Sequence, residues 1–472
     1  MRLRSVLITL FAGWLLGPAT PAAAQNNSEV LSGIQFDFSL PGARSLGLGG
    51  AFVALADDAT AAWANPAGLT ILTRKEASAE LRSWRFKNFI TDRGHAFGTA
   101  SGIGADTVTG LFNSESVDST VSPAFLSFVF PFGRWSFAAY RHQVSNFEAH
   151  ISSTGPFLDS GGDIDRVDPF VGNMKLEIAD YGGSFGYRLT SRVSVGIGVG
   201  LHDFSMQSTT DRFLYLPLGP PPVAQRASFT GVGQRFGPAD LSASNALFTL
   251  TQVGSDQAVA VNIGGLYRGE RVSVGAAFRQ GPEFKYSTKD VAGPASPRAG
   301  GFAVGQVVDE ENGIFAVPDV YAVGVAFHSP GALQLSIEYD RVEYSQLSKQ
   351  NVEVLGIEES NPVLGPTIGK LITENLTFPD SNQLRAGAEY FWARPTNTIL
   401  FRLGAWLDPD HRLRFESDDP LVLRLPVLYR PGSNNVHLAP GAGIAFRSFQ
   451  IDAAVDISKQ IRTVAVSTVY RF

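Results

Sequence analysis

From Glu76 onward the sequence alternates between apolar and polar residues with a period of two. Successive side chains of a β-strand point to opposite faces, so this pattern predicts strands with one apolar and one polar face. The segments are about ten residues long, which a tilted strand needs to cross a bilayer, whereas strands of soluble proteins average about five or six residues. In the segment 449–458, the apolar face carries Phe449, Ile451, Ala453, Val455 and Ile457.

The connections between these segments alternate in length. Short turns are predicted at 131–134, 190–192, 269–271, 329–331, 394–397 and 447–448. Long polar stretches separate them, at about 88–121, 151–173, 208–257, 288–318, 346–382 and 408–434. Short turns at one end and long loops at the other are typical of outer-membrane barrels, with the turns on the periplasmic side.

Counting the segments gives fourteen predicted strands. They are 76–86, 122–131, 135–148, 174–189, 193–206, 258–268, 272–287, 319–328, 332–345, 383–393, 398–407, 435–446, 449–458 and 463–472. An even number of antiparallel strands can close and satisfy every backbone group in lipid. The sequence therefore predicts an all-β fold, a transmembrane antiparallel β-barrel of about 14 strands. The last strand ends in Phe472 after Tyr470, and we expect barrel-assembly machinery to recognise it during biogenesis.

The first 24 residues have the features of a secretory signal peptide. Arg2 and Arg4 precede a short apolar run, and Ala22 and Ala24 form a small-x-small cleavage pattern. We therefore divide the chain into a signal peptide (1–24), an N-terminal hatch (25–75) and the barrel (76–472), and expect the exported protein in the cell outer membrane. The chain has no cysteine, which excludes disulfides and thiolate metal sites. Its net charge of −6 is scattered, so no nucleic-acid partner is expected.

A barrel of this width is too wide for its own wall side chains to fill. Alternation predicts a mixed-sign lumen lining of Arg188, Arg279, Glu338, Arg385, Glu389, Arg402, Asp452, Asp456 and Arg471. Such a lining can hold a polar plug, and the glycine-rich stretch Gly33–Leu69 is the available one. We therefore expect this stretch to fold into the lumen.

The same stretch carries a resemblance to a known family. The similar residues are Gly33 to Phe36, Gly42-Ala43-Arg44, Gly47 to Ala51, Ala56-Asp57-Asp58-Ala59 and Asn65-Pro66-Ala67. They resemble the N-terminal hatch of the FadL-type outer-membrane transporters of long-chain fatty acids and other hydrophobic compounds. A related branch, the PorV-like secretion accessories, shares the hatch and the barrel, so a role as a protein-secretion accessory or scaffold is the alternative.

The resemblance implies passive transport of a hydrophobic small molecule through a barrel that the hatch gates, with exit sideways into the outer-membrane lipid. The residues expected to form the hatch and its gate are Gly33, Gln35, Phe36, Gly42, Arg44, Gly49, Gly50, Asp57, Asp58, Asn65 and Pro66. Asp57 and Asp58 could also form a cation site, but capping of the helix-like run 59–64 is the commoner use of such residues.

Two groups of residues are candidates for ligand binding. Apolar residues concentrate in one long loop, at Phe213, Leu214, Leu216, Leu218, Leu247 and Phe248. They either capture the ligand or pack the loop on itself. Inward arginines could pair with a carboxylate headgroup or hold the hatch, and they are Arg188, Arg279, Arg385 and Arg402.

The third predicted strand breaks the alternation. With Phe137 and Ala139 facing lipid, Arg141 would face lipid too, at a cost of about 2–4 kcal/mol at mid-bilayer. A β-bulge within Ala138, Ala139, Tyr140 and Arg141 would restore the pattern and provide the lateral exit. The alternative is that Arg141 lies high enough to reach the interface.

No enzyme activity is expected. Gly182 to Gly186 matches the G-x-S-x-G pattern of serine hydrolases, but that motif needs a strand-to-helix turn and here it lies inside an alternating strand, with Ser184 facing the lumen. The glycines 47, 49 and 50 lack the Lys-Ser or Lys-Thr of a phosphate loop. The seven histidines show no metal-ligand spacing. We therefore expect no catalytic residue, no cofactor and no metal, and a monomer in the membrane.

Overall fold

A computed structural model describes residues 40–160, 163–215, 236–299, 301–347, 376–416 and 429–472. Its strands are β1 Glu76–His95, β2 Gly110–Phe132, β3 Trp135–Ser153, β4 Phe157–Ser160, β5 Asp163–Arg166, β6 Phe170–Arg188, β7 Val193–Phe213, β8 Ala246–Arg268, β9 Val272–Arg279, β10 Glu283–Ala292, β11 Val307–Ala316, β12 Val320–His328, β13 Leu333–Val342, β14 Leu376–Thr377, β15 Ser381–Ala393, β16 Thr398–Asp408, β17 Arg414–Phe415, β18 Asn435–Ala445, β19 Phe449–Ile457 and β20 Ile461–Arg471.

The wall is a closed antiparallel barrel of fourteen strands, as predicted. Closure is made by β1 and β20, which pair from Glu76 opposite Arg471 to Phe86 opposite Ile461. Two of the wall strands are interrupted, because β9 and β10 together form one strand and β11 and β12 together form the next. The small strands β4 and β5 form a hairpin that contacts the wall at Phe157 opposite His95 of β1. Among the described residues, β14 pairs only with β17.

Prolines explain the two interruptions. Pro282 lies between β9 and β10, and Pro318 lies between β11 and β12. Proline has no N–H to donate and breaks a ladder. The two breaks are joined by other bonds, since the Val317 N–H donates to the Pro282 carbonyl (2.9 Å) and the Gly281 N–H donates to Asp319 Oδ1 (2.7 Å). The prediction of one continuous strand over 272–287 was therefore wrong.

The outward face of the barrel is apolar near the short turns. On β7, exposed Val195, Ile197, Val199 and Leu201 alternate with inward residues, which is the lipid-facing band of a transmembrane barrel. Several strands run further toward the long loops than predicted. For example, β7 continues to Phe213 and β8 begins at Ala246. In this extension of β7 the inward face stays buried at Ser208, Thr210 and Arg212. These residues are polar, so the ladder continues while the apolar alternation that reveals it is lost.

Helices are few and short. They are α1 Ala43–Gly47 and α2 Ala61–Ala64, with 3₁₀ helices at Pro66–Ile71, Ala243–Asn245 and Ser296–Ala299. No helix within the described ranges is both long and apolar enough to cross a membrane. The C-terminal Phe472 donates its N–H to the Lys75 carbonyl (3.0 Å), which fixes the end of the last strand beside the start of the first.

Candidate functional site

The first part of the described chain, Leu40–Leu72, is called the inner segment below. Nearly all of its residues are buried. Gly42 turns into α1 with φ 95°, a left-handed conformation that favours glycine. At the other end, the Asn65 side chain accepts from the Ala67 N–H (3.2 Å) and Pro66 occupies the first turn of the 3₁₀ helix. Small side chains and local caps thus fold the segment compactly with little regular structure.

An ion-pair network joins α1 to the barrel wall. The Arg44 guanidinium contacts Asp57 (2.5 Å) and Asp58 (3.3 Å) within the segment. It also contacts Glu389 on β15 at 2.9 Å. Glu389 pairs with Arg402 on the neighbouring strand β16 (2.6 Å), and Arg402 continues to Asp452 on β19 (2.7 Å). The predicted residues Arg44, Asp57 and Asp58 therefore meet at one site, which anchors the segment to three strands.

A second anchor is Glu338 on β13. Its Oε2 accepts the backbone N–H groups of Phe52 (2.6 Å) and Val53 (2.7 Å). Next to it, Arg385 donates to the Gly49 carbonyl (3.2 Å) and pairs with Asp340 (2.7 Å). These contacts hold backbone atoms of the segment rather than its side chains.

The opposite side of the lumen contacts α2. Trp63 donates from its indole Nε1 to Asp180 on β6 (3.1 Å), and Ser184 donates to the Ala62 carbonyl (2.5 Å). Asn65 donates to the Gly265 carbonyl on β8 (3.2 Å). Further contacts join Gly42 to Glu80, Ala43 to Ser467, Ala59 to Ser127 and Thr70 to Ser194. Because these partners lie on inward faces around the wall, the segment crosses the lumen.

Inward glycines let the segment approach the wall closely. A Cβ at Gly404 would lie 2.0 Å from the Gly49 nitrogen, and one at Gly196 would lie 2.3 Å from the Pro66 carbonyl carbon. At such distances the backbone has to shift. The same holds for a Cβ at Gly264, Gly275 or Gly387, which would meet Asn65, Val53 or Leu48. Several of these glycines are opposite one another on neighbouring strands, as with Gly387 and Gly404, and together we call them the glycine belt.

Above the inner segment, toward the long loops, the lumen is apolar. We call this group the upper cluster. It comprises Trp84, Phe86, Ala124, Val144, Phe147, Ala149, Met174, Leu176, Ile178, Phe204, Met206, Phe284, Tyr286, Phe315, Val317, Val320, Val342, Tyr344, Leu347, Phe378, Leu413, Phe415, Tyr429 and Ile461. Phe204 stacks on Phe284 at 4.6 Å between ring centroids. Barrel interiors are ordinarily polar, so an apolar one at this level is a distinctive feature.

A small cavity lies between the upper cluster and the inner segment. Its apolar side is formed by Leu40, Val320, Val342 and Tyr344. Its polar side is formed by Arg279, Asp340, Gln383, Arg385, Trp406 and Asp408. The cavity has room for about one water molecule, and its lining combines apolar and charged side chains.

The four predicted arginines all contact the inner segment or its anchors. Arg188 donates to the Thr70 carbonyl, and Arg279 donates to the Ala64 carbonyl (3.3 Å). Arg385 binds the Gly49 carbonyl, and Arg402 reaches Arg44 through Glu389. Within the described ranges, no carboxylate lies within ion-pair distance of Arg279, and its guanidinium lies 5.1 Å from the Trp63 ring centre. These contacts match the expectation that the arginines hold the segment, while headgroup binding stays a prediction.

The apolar loop residues are largely buried rather than displayed. Leu247 and Phe248 pack with Ala292, and partly buried Leu214 packs against them. Phe213 is 3% exposed. Phe213 ends β7, and Leu247 and Phe248 begin β8, so these residues belong to packed strands. Ligand capture by them stays a prediction. Leu216 and Leu218 lie outside the described residues, as do Gly33, Gln35 and Phe36.

The predicted bulge in β3 was placed wrongly. Ala138, Ala139, Tyr140 and Arg141 pair without a register shift to both β2 and β6. The shift lies between Gln143 and Ser145. Arg141 stays on the outward face, where it donates to the Pro123 carbonyl and to the Gln143 side chain. With these two acceptors Arg141 stays on the outward face, so the chain does not have to change faces at this residue.

Other predicted features can also be located. Ser184 does face the lumen, where it is 5% exposed. Asp58 accepts the Thr60 N–H (2.9 Å) just before α2, although the N-cap residue Thr60 itself makes no side-chain cap. Among the residues that the structure describes, no group of His, Cys, Asp and Glu could hold a metal ion.

Sequence reasoning missed the glycine belt and the partners on the β6 side. Asp180 lies 2% exposed and also accepts from Tyr140 (3.1 Å) beside Trp63. Its inward position in an alternating strand was a usable signal. The belt had a signal too, because a glycine recurs at an inward position on most wall strands. The sequence does not show which atom of the inner segment each glycine meets.

Comparison with known proteins gives matches to solved structures only. No family model matches the sequence, and no curated protein matches it. A Pseudomonas aeruginosa FadL homologue is similar with a TM-score of 0.58 at 15% identity, over 92% of this chain and 99% of that chain. The P. putida toluene transporter TodX (TM-score 0.53) and the Ralstonia pickettii toluene transporter TbuX (TM-score 0.52) are similar at 15% identity, each over 92% of this chain and 99% of its own. The chain therefore has the fold of the FadL-type transporters.

Proposed function

We propose that this protein is an outer-membrane transporter that lets hydrophobic small molecules, long-chain fatty acids or aromatic hydrocarbons, diffuse through a barrel gated by the inner segment. The observation that carries the proposal is the upper cluster. Aromatic and aliphatic side chains that fill the lumen directly above the inner segment offer apolar contacts to a hydrophobic ligand, since buried apolar surface contributes roughly 25 cal/mol per Å². The similarity to solved toluene transporters supports the same class of ligand.

The inner segment would act as the hatch. Its anchors include polar groups that water can replace, whereas the wall is held by backbone ladders between neighbouring strands. A ligand held in the upper cluster reaches the cavity above Arg279 and Arg385 and passes once the segment shifts. Exit would be sideways into the outer-membrane lipid, as the resemblance implies. The leader residues 1–24 would be removed on export.

Ligand binding tests the proposal directly. We expect Phe204→Gln to weaken binding of a fluorescent fatty acid to the purified protein about fivefold to a hundredfold, because a ligand seated in the upper cluster would then cover an amide that has no hydrogen-bond partner, at a cost of about 1–3 kcal/mol. Phe204→Leu, the matched control, keeps the lumen apolar and should bind within about threefold of wild type. Equal binding by wild type and Phe204→Gln would contradict a ligand site in the upper cluster.

A deletion strain separates transport from the secretion alternative. If the proposal is correct, cells without the protein lose uptake of labelled fatty acid or toluene and export their surface proteins normally. Normal uptake together with loss of secreted surface proteins would instead support a PorV-like accessory role.

A further inference from the structure

Four cationic side chains group on the outside of the barrel, where its first and last strands meet. Arg85 of β1 is directly opposite Arg462 of β20 in their antiparallel ladder. Lys87 is the next outward residue on β1, and Lys459 lies in the turn that precedes β20. We call these four residues the basic patch. Like charges directly opposite each other on neighbouring strands destabilise a sheet, so an anion between the two guanidinium groups would remove a repulsion.

An aromatic ring and a short turn position the two lysines. The Nζ atom of Lys87 lies 5.9 Å from the centre of the Phe89 ring, and that of Lys459 lies 5.6 Å from it. The turn between β19 and β20 spans only residues 458–460. It is joined to β1, because the Lys87 N–H donates to the Gln460 carbonyl (2.7 Å). Both ammonium groups are therefore held beside the same ring and next to the pair of arginines.

The basic patch lies at the upper edge of the lipid-facing band. Below Arg462, the outward residues Val464 and Val466 of β20 are exposed and apolar. The strand reaches Phe472 about ten residues after Arg462, which is the length of one crossing of the bilayer. Ile457 of β19, opposite Arg462, is also exposed. The cations therefore lie at the level of the outer-leaflet headgroups, directly above a surface for acyl chains.

The basic patch carries more positive than negative charge. Glu115 contacts Lys87 at 2.6 Å. Within the described part of the chain, no carboxylate lies within ion-pair distance of the other three cations. By contrast, Arg341, the outward cation that ends the apolar face of β13, contacts Asp380 (2.6 Å) and Glu343 (3.8 Å). The patch thus has uncompensated charge for an anion at a level where a comparable arginine is neutralised by the protein itself.

We propose that the basic patch binds a phosphate-bearing lipid of the outer leaflet. Arg85 and Arg462 would contact the phosphate oxygens, because a guanidinium can donate two parallel hydrogen bonds to a phosphate. Lys87 and Lys459 would add charge at its edge, and the acyl chains would lie on the apolar surface that begins at Val464. A free phosphate ion would lack those apolar contacts. The proposal is independent of the transport function, and the bound lipid would stabilise the closure of the barrel between β1 and β20.

Binding of diphosphoryl lipid A to the full-length protein in detergent tests the proposal. Arg85→Gln with Arg462→Gln removes the opposed pair. The matched control is Lys175→Gln with Arg341→Gln, because it removes two outward cations that already have carboxylate partners. We expect the dissociation constant, measured by native mass spectrometry, to rise at least about tenfold in the first variant and to stay within about twofold in the control. Equal weakening in the two variants would overturn the site, because it would show attraction to any surface cation.

Two further measurements use the unaltered protein, so they test the proposal even if the first variant does not fold. Lipid A without its phosphates should bind at least about tenfold more weakly than the diphosphoryl form, and an equimolar amount of inorganic phosphate should not displace the diphosphoryl form. Equal binding of the two lipids would show that the phosphates are not recognised, and displacement by inorganic phosphate would show a site for the free ion. Either result would overturn the proposal.

Discussion

Glu338 is the position at which the gating role of the inner segment can be tested most sharply. One carboxylate oxygen accepts two backbone N–H groups, from Phe52 (2.6 Å) and Val53 (2.7 Å). Glu338→Gln preserves the volume of the side chain but removes the charge. The two N–H groups stay buried while the segment is in place, so each still requires a hydrogen-bond acceptor.

The size of the effect follows from the two bonds. A hydrogen bond to a charged group contributes about 1.5–3 kcal/mol and one between neutral groups about 1 kcal/mol. Replacing two of the former by two of the latter costs about 1–4 kcal/mol. At about 1.4 kcal/mol per factor of ten, the open population of the segment should rise by about fivefold to several hundredfold.

The assay is entry of a small polar sugar into proteoliposomes. Glu338→Gln should raise the rate at least fivefold, toward that of a variant lacking residues 33–60, which should assemble with a leaky pore. Asp456→Asn is the matched control, because that buried carboxylate accepts from Trp406 (3.0 Å) and contacts His437 (2.9 Å) on the wall. Equal leakage by the two substitutions, with both barrels folded by circular dichroism, would refute the reasoning.

Three other substitutions extend this test. Gly404→Val should displace the segment and raise sugar leakage, because even a Cβ there would lie 2.0 Å from the Gly49 nitrogen. Gly265→Val is the control and should leave leakage unchanged, because a Cβ at that position meets nothing within 4 Å. Arg44→Met leaves Asp57, Asp58 and Glu389 without their shared cation; breaking such a buried pair costs about 3–5 kcal/mol, so leakage should exceed that of Glu338→Gln. Arg279→Gln should weaken binding of a fatty acid more than binding of toluene if this guanidinium recognises a headgroup, and equal losses in a binding titration would exclude that role.

Much of the wall was predictable because lipid imposes a strict pattern. Residues that face the membrane are apolar and recur at every second position, so the sequence itself shows the strands, their number and the short turns between them. The breaks at Pro282 and Pro318 were also visible in the sequence, but the prediction passed over the first. Strand ends beyond the bilayer were not predictable from alternation, since both faces there contact water or folded loops.

The interior was predictable only in part. The mixed signs of the predicted lumen lining, which includes Glu389 and Arg402, suggested a plug held by ion pairs, and Arg44 of the inner segment does contact Glu389. The partners of Glu338 are backbone N–H groups, which every residue has, so no side-chain pattern could identify Phe52 and Val53. The β3 irregularity was placed too early, because alternation cannot show that Arg141 finds acceptors on its own face.

The way in which the inner segment is held bears on how it could move. Wall groups contact its backbone at Gly49, Phe52, Val53, Ala62 and Ala64. When such a contact breaks, water can satisfy both partners, so each of these bonds adds only its net value, about 0.5–3 kcal/mol, to the cost of displacement. Moving the segment also requires no change in the wall, whose ladders close without it. A transporter with no energy source needs such a barrier, high enough to exclude polar solutes and low enough for ligand binding above it to shift the equilibrium. The upper cluster lies where that binding energy can act, directly above the segment.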